Sequence, residues 1–230
     1  MTIVAIVPAR AGSKGIPGKN IKPLCGKPLL GYTADAIRAA GIFDRALLST
    51  DSGDIAELGR GFGLEAPFLR PPELARDETP MLPVIEHVLD WLNTDGTKPE
   101  IVVLLQPTQP LRDAADVVRA VSILQSEPCD SVASVVALPA HLSPDYVMRI
   151  DAAGRLTNFL AEGSRVTRRQ DVRPAYVRDG TVYAFRTATI REQRSIYGAV
   201  CLPLIIAAER SVNIDSPSDW NEAERRLGCR

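Results

Sequence analysis

From residue 3 to residue 137 the chain alternates between short runs rich in valine, isoleucine and leucine and longer amphipathic stretches. Strands joined by crossover helices in a parallel sheet produce this alternation. The predicted strands are 3–9, 45–50, 101–106 and 131–137, and the predicted helices are 28–41, 52–63, 79–92 and 113–125. The sequence therefore predicts an α/β core of about four βα units.

Several residues mark the expected ends of helices. Gly41 is expected to end the first helix, because glycine readily adopts the left-handed conformation found at helix C-termini. Thr79 is the predicted cap of the third helix. Near the C-terminus, Ser216 followed by Pro217 is typical of a helix N-terminus and predicts a terminal helix, which follows a predicted strand at 198–206.

The pattern changes from residue 141 onward. Residues 146–160 predict two strands around a turn at Gly154, and residues 173–185 predict a loop that leads into another strand. We therefore expect one domain over residues 1–230, with an insertion at about 141–179 that stands off the main sheet.

The composition excludes several classes of protein. A chain of 230 residues with 45% hydrophobic residues can bury the core of one domain. The formal net charge of -1 provides no basic field for nucleic acid or an anionic membrane, so an anion site must be built from a few local cations. No leader peptide and no apolar window of the ~20 residues needed to span a bilayer is recognisable. We expect a soluble cytoplasmic protein.

The chain contains four cysteines and two histidines: Cys25, Cys129, Cys201, Cys229, His87 and His141. The cysteines are widely spaced and form no CxxC pair, so the sequence does not indicate a zinc site. Reduced thiols with mostly structural roles are expected. Neither histidine is assigned a catalytic role, because His87 lies within a predicted helix, where packing is the commoner use.

The first predicted strand runs into a loop rich in glycine and positive charge, in the stretch IVAIVPARAGSKGIPGKN. The phosphate-loop motif GxxxxGK[ST] does not fit, because Pro17 stands five positions after Gly12. The dinucleotide motif GxGxxG does not fit either, because Gly12, Gly15 and Gly18 are evenly spaced. A different kind of anion-binding loop is therefore indicated.

This loop carries three cations, Arg10, Lys14 and Lys19. Open α/β sheets bind ligands outside the carboxyl ends of their strands, and glycines let backbone N–H groups approach an anion. We therefore predict that the loop holds a triphosphate. The alternative is a solvated, flexible surface loop, since such loops are often polar and rich in glycine.

The segment PARAGSKGIPGKN resembles the N-terminal signature of the CMP-sialate synthetases, which make a CMP-sugar and pyrophosphate from CTP and a free nine-carbon sugar acid. Further segments follow in the same order as in that family: LLSTDSGDIA, RPPELARDETP, LLQPTQPLR, RRQ with RDGTVY, and SVNIDSPSDW. The resemblance covers nearly the whole chain. It implies a three-layer Rossmann-like nucleotidyltransferase fold, with a mainly parallel sheet and a small β-rich dimerisation insertion. The related enzymes that activate the eight-carbon acid Kdo open with a serine-arginine-leucine-proline pattern and are the weaker match.

The reaction implied by this resemblance is an in-line transfer of CMP from CTP to the anomeric hydroxyl of the sugar. Negative charge builds on the phosphoryl oxygens and on the departing pyrophosphate, so cations must surround the triphosphate. Arg10, Lys14 and Lys19 are the catalytic candidates among the cations. The implied nucleotide-binding residues are Ala9, Arg10, Gly12, Ser13, Lys14, Lys19, Asn20 and Asp51.

A divalent cation, Mg²⁺ or Mn²⁺, is expected to bridge the phosphates with one or two protein carboxylates. The metal-binding Asp-x-Asp of the family aligns with Asn213, Ile214 and Asp215, so Asp215 is a catalytic candidate and the main metal ligand. Asn213 offers only a neutral carbonyl oxygen, so we expect weaker binding or support from Asp51. Without the resemblance, Asp215 would be interpreted as an acidic residue that favours a helix N-terminus.

The carboxylate of the sugar acid requires guanidinium or amide donors. Gln106 and Arg112 follow a predicted strand and are expected to contact the sugar. By resemblance, Arg169, Gln170 and Tyr183 form a second sugar-binding cluster, which also serves the site of the partner subunit in a homodimer.

Departures from the family leave the acceptor open. Asp179 and Gly180 stand where Asn-Gly is usual, and SPDYVM replaces a segment in which some sialic acid enzymes carry a lysine. Two other functions also stay open at this point. One is a non-catalytic nucleotide-binding module, and the other is a nucleotidyltransferase that uses a Kdo-like acid, or a sugar 1-phosphate with a different nucleoside triphosphate.

Overall fold

The computed structural model describes residues 1–161, 168 and 171–229. The strands are β1 (Ile3–Pro8), β2 (Pro23–Leu24), β3 (Lys27–Pro28), β4 (Arg45–Ser49), β5 (Ile101–Leu104), β6 (Ser131–Ala137), β7 (Met148–Ile150), β8 (Leu156–Asn158), β9 (Tyr176–Arg186) and β10 (Cys201–Ile205). The α-helices are α1 (Leu29–Ala40), α2 (Gly53–Gly61), α3 (Met81–Thr94), α4 (Ala114–Ser126), α5 (Thr187–Gln193) and α6 (Pro217–Leu227). Short 3₁₀ turns occur at Pro72–Leu74, Ala140–Leu142 and Ala208–Arg210.

The central sheet has the strand order β10-β6-β9-β5-β1-β4. The neighbours β4, β1 and β5 are parallel, as are β6 and β10, whereas β9 runs antiparallel between β5 and β6. This arrangement confirms the predicted mainly parallel α/β sheet. The carboxyl ends of β1, β4 and β5 therefore meet at one edge, where such sheets bind their ligands.

Helices cover both faces of the sheet and make three layers. Successive residues of a strand point to opposite faces, so Ala5 of β1 packs with α1, α2 and α4, while Ile6 packs with α3 and α5. Because both faces are buried, β1 is a continuous apolar run without polar alternation. This burial explains why the strands are recognisable as runs of apolar residues.

The predicted strands and helices agree with the structure to within about three residues, and Gly41 ends α1 with φ 63° as expected. The prediction that Thr79 caps α3 is wrong. Its Oγ1 donates to Glu73 O at 3.0 Å, and α3 begins after Pro80 without a side-chain cap. Ser216 caps α6 as predicted and forms a capping box with Asp219. Helix α5 was not predicted.

The segment after β6 contains a hairpin of β7 and β8, which matches the two predicted strands. Asp151 closes its turn by accepting from the backbone N–H groups of Ala153 and Arg155, both at 2.9 Å. Gly154 has φ 76°, which a residue with a side chain rarely adopts. The predicted end of the insertion, residue 179, lies within β9, because β9 already pairs with β6 from Tyr176.

Cys25 and Cys229 form a disulfide in the structure. It links the turn between β2 and β3 to the end of α6, across a sequence separation of 204 residues. The expectation of four reduced thiols is therefore wrong for this pair, whereas Cys129 and Cys201 are free. Sequence spacing carries no signal for a pair that the tertiary fold alone brings together. Within the part of the chain that the structure describes, no helix has the length and hydrophobicity to cross a membrane.

Candidate active site

A cleft of about 230 Å³ lies at the carboxyl ends of β1 and β5. It is lined by Pro8, Arg10, Gly12, Ser13, Lys19, Asn20, Arg70, Met81, Gln106, Pro107, Thr108, Asn213 and Asp215. These residues come from the end of β1 and the opening loop, the segment between α2 and α3, the segment after β5, the start of α3 and the segment before α6. Many of the sequence-predicted site residues therefore meet in one cleft.

Hydrogen bonds to neighbouring strands fix the opening loop. The Ala9 N–H donates to Ser49 O at 2.9 Å, and the Ala11 N–H donates to Asp51 Oδ1 at 2.8 Å. Asn20 closes the loop by donating from its side-chain amide to Arg10 O at 2.9 Å. Of the predicted nucleotide ligands, Ala9 is buried and Asp51 is used as an anchor. Neither of these two side chains lines the cleft.

The opening loop also packs against the segment before α6. A Cβ atom on Gly15 would lie 2.0 Å from Asp215 O, so the close approach of the two backbones requires glycine. Lys19 is only 12% exposed, and its ammonium donates to Ile214 O at 2.7 Å and to Asp215 Oδ1 at 3.0 Å. The fold thus places the predicted phosphate-binding lysine directly beside the predicted metal-binding carboxylate.

The second oxygen of that carboxylate has its own partner. Asn213 donates from Nδ2 to Asp215 Oδ2 at 2.6 Å, so the asparagine orients the carboxylate at the rim of the cleft. No cluster of three or more histidine, cysteine, aspartate or glutamate side chains occurs in the described residues. One carboxylate and one amide suit a hard cation that takes most of its oxygen ligands from phosphates and water. The donor set therefore fits Mg²⁺ or Mn²⁺ bound together with a nucleotide.

Arg10 and Lys14 share one carboxylate. Arg10 forms an ion pair with Asp77, and the Lys14 ammonium lies 2.8 Å from the other oxygen of the same group. Arg10 lines the cleft, whereas Lys14 is 82% exposed and lies outside it. Two hydrogen bonds hold the pKa of Asp77 below its usual value. The one from Lys14 has the larger effect, and the one from Arg10 the next largest.

Arg70 is a cleft residue that the sequence analysis missed. It is 5% exposed, and its guanidinium donates to Ser49 O at 2.6 Å and to Ser49 Oγ at 3.1 Å. Burial lowers its pKa to about 10, so it remains a cation at neutral pH. An arginine followed by two prolines has no local signature of a ligand, and only the fold turns it toward the cleft.

The predicted sugar ligands lie in different environments. Gln106 lines the cleft, and its Oε1 lies 3.5 Å from the position of a Cβ on Gly180, which has φ +80°. Arg112 is buried, and its guanidinium donates to Thr181 O, Gln106 O and Thr33 Oγ1 at 2.6–2.7 Å. Arg112 therefore stabilises the backbone at Gln106, and its hydrogen-bond donors point to oxygens of the protein.

Tyr183 lies in the middle of β9, within the central sheet. Burial raises its pKa to about 12, so its hydroxyl stays protonated, and its ring packs edge-on to Tyr197 at a centroid distance of 6.2 Å. Arg178 stacks over the Tyr197 ring at 5.1 Å. Arg169 and Gln170 lie outside the described residues.

His87 lies away from the cleft, and its ring contacts Phe68 at 4.7 Å between centroids. Its Nδ1 is buried and has no hydrogen-bond partner among the described residues. Burial lowers the pKa of His87, which favours the neutral ring. Packing in the helix layer accounts for this histidine, in agreement with the sequence analysis.

Comparison with known proteins identifies the family of this chain. The family model described as cytidylyltransferase matches residues 4–199. The chain is 33% identical over 229 residues to CMP-N,N'-diacetyllegionaminic acid synthase of Legionella pneumophila, covering 99% of this chain and 97% of that protein. It is 32% identical over 222 residues to N-acylneuraminate cytidylyltransferase of Escherichia coli, covering 96% of this chain and 51% of that protein. The chain thus spans about half the length of the second relative.

Solved structures show the same fold. A CMP:2-keto-3-deoxy-manno-octonic acid synthetase in complex with CTP superposes with a TM-score of 0.74 at 15% identity, over 100% of this chain and 99% of the other. A 4-diphosphocytidyl-2C-methyl-D-erythritol synthase from Anaerococcus prevotii superposes with a TM-score of 0.62 at 17% identity, over 98% of both chains. The fold, the match over residues 4–199 and the full-length relative together show that this chain belongs to the cytidylyltransferase family.

Proposed function

We propose that this protein transfers CMP from CTP to the anomeric hydroxyl of a nine-carbon, sialic acid-like sugar acid and releases pyrophosphate. The relatives that match over nearly the whole chain are named for a legionaminic acid and for N-acylneuraminate, which supports this class of acceptor. The structural observation that carries the proposal is the cleft in which Arg10, Lys19 and Arg70 face Asp215 and Gln106.

The cations of the cleft suit the charge that develops during transfer. Lys19 is held by Ile214 O and Asp215, so the fold itself fixes the position of its ammonium. A preorganised cation stabilises developing phosphoryl charge without further reorganisation. Arg10 and Arg70 add hydrogen-bond donors on neighbouring parts of the cleft wall. Gly12 and Ser13 also line the cleft, and their small side chains let their backbone N–H groups approach a phosphate closely.

We propose that Asp215 and Asn213 hold Mg²⁺ or Mn²⁺ together with the triphosphate. The ion supplies charge neutralisation on the phosphates and on the departing pyrophosphate. Lys19 and Asn213 donate to the two oxygens of Asp215 and orient its carboxylate at the rim of the cleft. These contacts support the assignment of Asp215 as the main carboxylate ligand.

For the acceptor, Gln106 is the proposed contact, because its amide reaches the cleft beside the carboxyl end of β5. Arg112 acts indirectly by donating to Gln106 O. Tyr183 is proposed to contact the sugar at the β9 side, together with Arg169 and Gln170 of the sequence-based cluster.

A panel assay tests the reaction. We expect pyrophosphate release when the protein is mixed with CTP, a divalent cation and a nine-carbon sugar acid. Mixtures with ATP, GTP or UTP, with Kdo, or with a sugar 1-phosphate serve as controls. Pyrophosphate release only with Kdo or with a sugar 1-phosphate would show that the protein has a different acceptor from the one proposed. No release with any mixture would indicate a non-catalytic nucleotide-binding module.

We also propose that the protein is a two-fold homodimer that acts in the cytoplasm, where CTP is available. The hairpin and its surroundings expose several large apolar side chains: Leu142, Val147, Met148, Ile150, Leu156, Phe159 and Tyr176. Ile150 is 74% exposed and Leu156 is 65% exposed. An isolated two-stranded hairpin is marginally stable, and an apolar patch of this kind is typical of a subunit contact.

Sedimentation checks the dimer. We expect a dimer at micromolar concentration, and we expect Leu156→Asp to give a monomer because it places a charge in the apolar contact. Leu69→Asp is the matched control, since Leu69 is also exposed but lies outside the hairpin. A monomeric unaltered protein would contradict the proposal.

A further inference from the structure

One carboxylate bridges two cations of the opening loop. Asp77 uses one oxygen for Arg10 and the other for Lys14, as a phosphate would use two of its oxygens. The proposed function gives Arg10 to the triphosphate, and the sequence analysis predicts the same role for Lys14. Asp77 therefore pairs with cations that the ligand needs.

The segment that carries Asp77 is folded over Arg10. Thr79 Oγ1 donates to Glu73 O at 3.0 Å, and the Arg10 guanidinium also approaches Ala75 O at 3.5 Å. Directly after this segment, Met81 starts α3 and lines the cleft. The position of Asp77 is thus coupled by the chain to a wall of the site.

We propose that Asp77 competes with the ligand's phosphates for Arg10 and Lys14 and thereby weakens the binding of phosphate ligands. This inference rests on the proposed function and extends it. A polyphosphate brings more charge than one carboxylate and can displace Asp77, whereas weakly charged anions cannot. Once displaced, Asp77 is repelled by the bound phosphates, so its segment moves away from Arg10.

Pyrophosphate is the probe that isolates this competition, because it contains neither cytosine nor sugar. We expect Asp77→Asn to bind pyrophosphate about three- to tenfold more tightly in calorimetry without a divalent cation, since two exposed ion pairs no longer compete. Glu78→Gln is the matched control. It removes the same charge one residue away. Glu78 forms no ion pair with any described residue, and its charge contributes to the raised pKa of Lys14 less than that of Asp77 does. Its pyrophosphate affinity is expected to change less than about twofold.

A double-mutant cycle separates competition from a general charge effect. If Asp77 acts through Lys14, the increase in pyrophosphate affinity caused by Asp77→Asn is smaller in a protein that also carries Lys14→Met. Lys14 is highly exposed, so this background is expected to fold normally. Asp77→Ser is a second variant without the carboxylate and is expected to show the same gain if Asp77→Asn does not fold.

Unchanged or weaker pyrophosphate binding in folded Asp77→Asn or Asp77→Ser would overturn the inference. Weaker binding would mean that Asp77 positions the two cations for the ligand. Failure of the proposed function is a separate result, seen as absence of pyrophosphate release from CTP in the panel assay. A pyrophosphate gain in Asp77→Asn without such release would support Asp77 as an anion competitor while removing the proposed reaction.

Discussion

Lys19→Ala is expected to lower turnover by on the order of 10²-fold or more, because the variant loses a preorganised cation at the transferred phosphoryl group. In the structure the Lys19 ammonium is nearly enclosed and is fixed by Ile214 O and Asp215 Oδ1. These two acceptors hold the charge at one point of the cleft wall. Steady-state measurements of pyrophosphate release, at saturating CTP and sugar acid, check the loss.

Lys19→Arg is also expected to be impaired. A planar guanidinium is larger than an ammonium and does not replace a point charge held between two acceptors. The matched control is Lys22→Ala, since Lys22 lies three residues away and stacks over the Trp220 ring at 4.5 Å, outside the cleft. Near-normal turnover in Lys19→Ala, with a melting temperature like that of Lys22→Ala, would contradict the proposal that Lys19 stabilises the phosphates during transfer.

The sheet was predictable because its physical signal is local. Strands β1, β4, β5 and β6 are short apolar runs in the buried sheet, and β1, β4 and β5 are each followed by a segment with helical periodicity. Once the sheet is parallel, the position of its ligand edge follows from topology alone. The sequence pattern was therefore sufficient to predict that the opening loop lies at the ligand edge, where the cleft is found.

The long-range contacts of the site were not predictable from local pattern. Lys19 and Asp215 are 196 residues apart, and in the sequence only the family resemblance connects them. Arg70 carries no local signal, because its position arises from the way the chain returns to the end of β4 after α2. Asp77, likewise, is one of several charges in a polar segment of the sequence, and only the fold brings it to Arg10.

Arg112 illustrates that the location of an arginine at the ligand edge does not by itself fix its role. It follows β5 at the ligand edge, which favours a binding role for an arginine. Burial makes unpaired donors costly, so its guanidinium is satisfied by Thr181 O, Gln106 O and Thr33 Oγ1. Whether a charged residue at a sheet edge binds a ligand or braces the backbone depends on neighbours that lie far away in sequence.

Asp215→Ala is expected to nearly abolish turnover if Asp215 is the main protein carboxylate on the divalent cation. The competing explanation is that Asp215 only favours the N-terminus of α6, where a carboxylate contributes no more than ~1 kcal/mol of stability. Asp54→Ala is the matched control, because Asp54 is an acidic residue in the first turn of α2 and lies outside the cleft. Turnover and melting curves of both variants separate the two roles. A folded, fully active Asp215→Ala protein would end the metal assignment.

Asn213→Asp tests the same site in the opposite direction. In the structure Asn213 donates to Asp215, so the substitution replaces a donor by a second negative charge directly beside the carboxylate. Without a metal ion the two carboxylates repel each other, which lowers stability, while added charge raises the affinity of a site for a hard cation. We therefore expect activity at lower magnesium concentration and a larger rise in melting temperature on adding magnesium than in the unaltered protein. An unchanged magnesium dependence of both quantities would mean that residue 213 lies outside the coordination shell and that Asn213 serves only to orient Asp215.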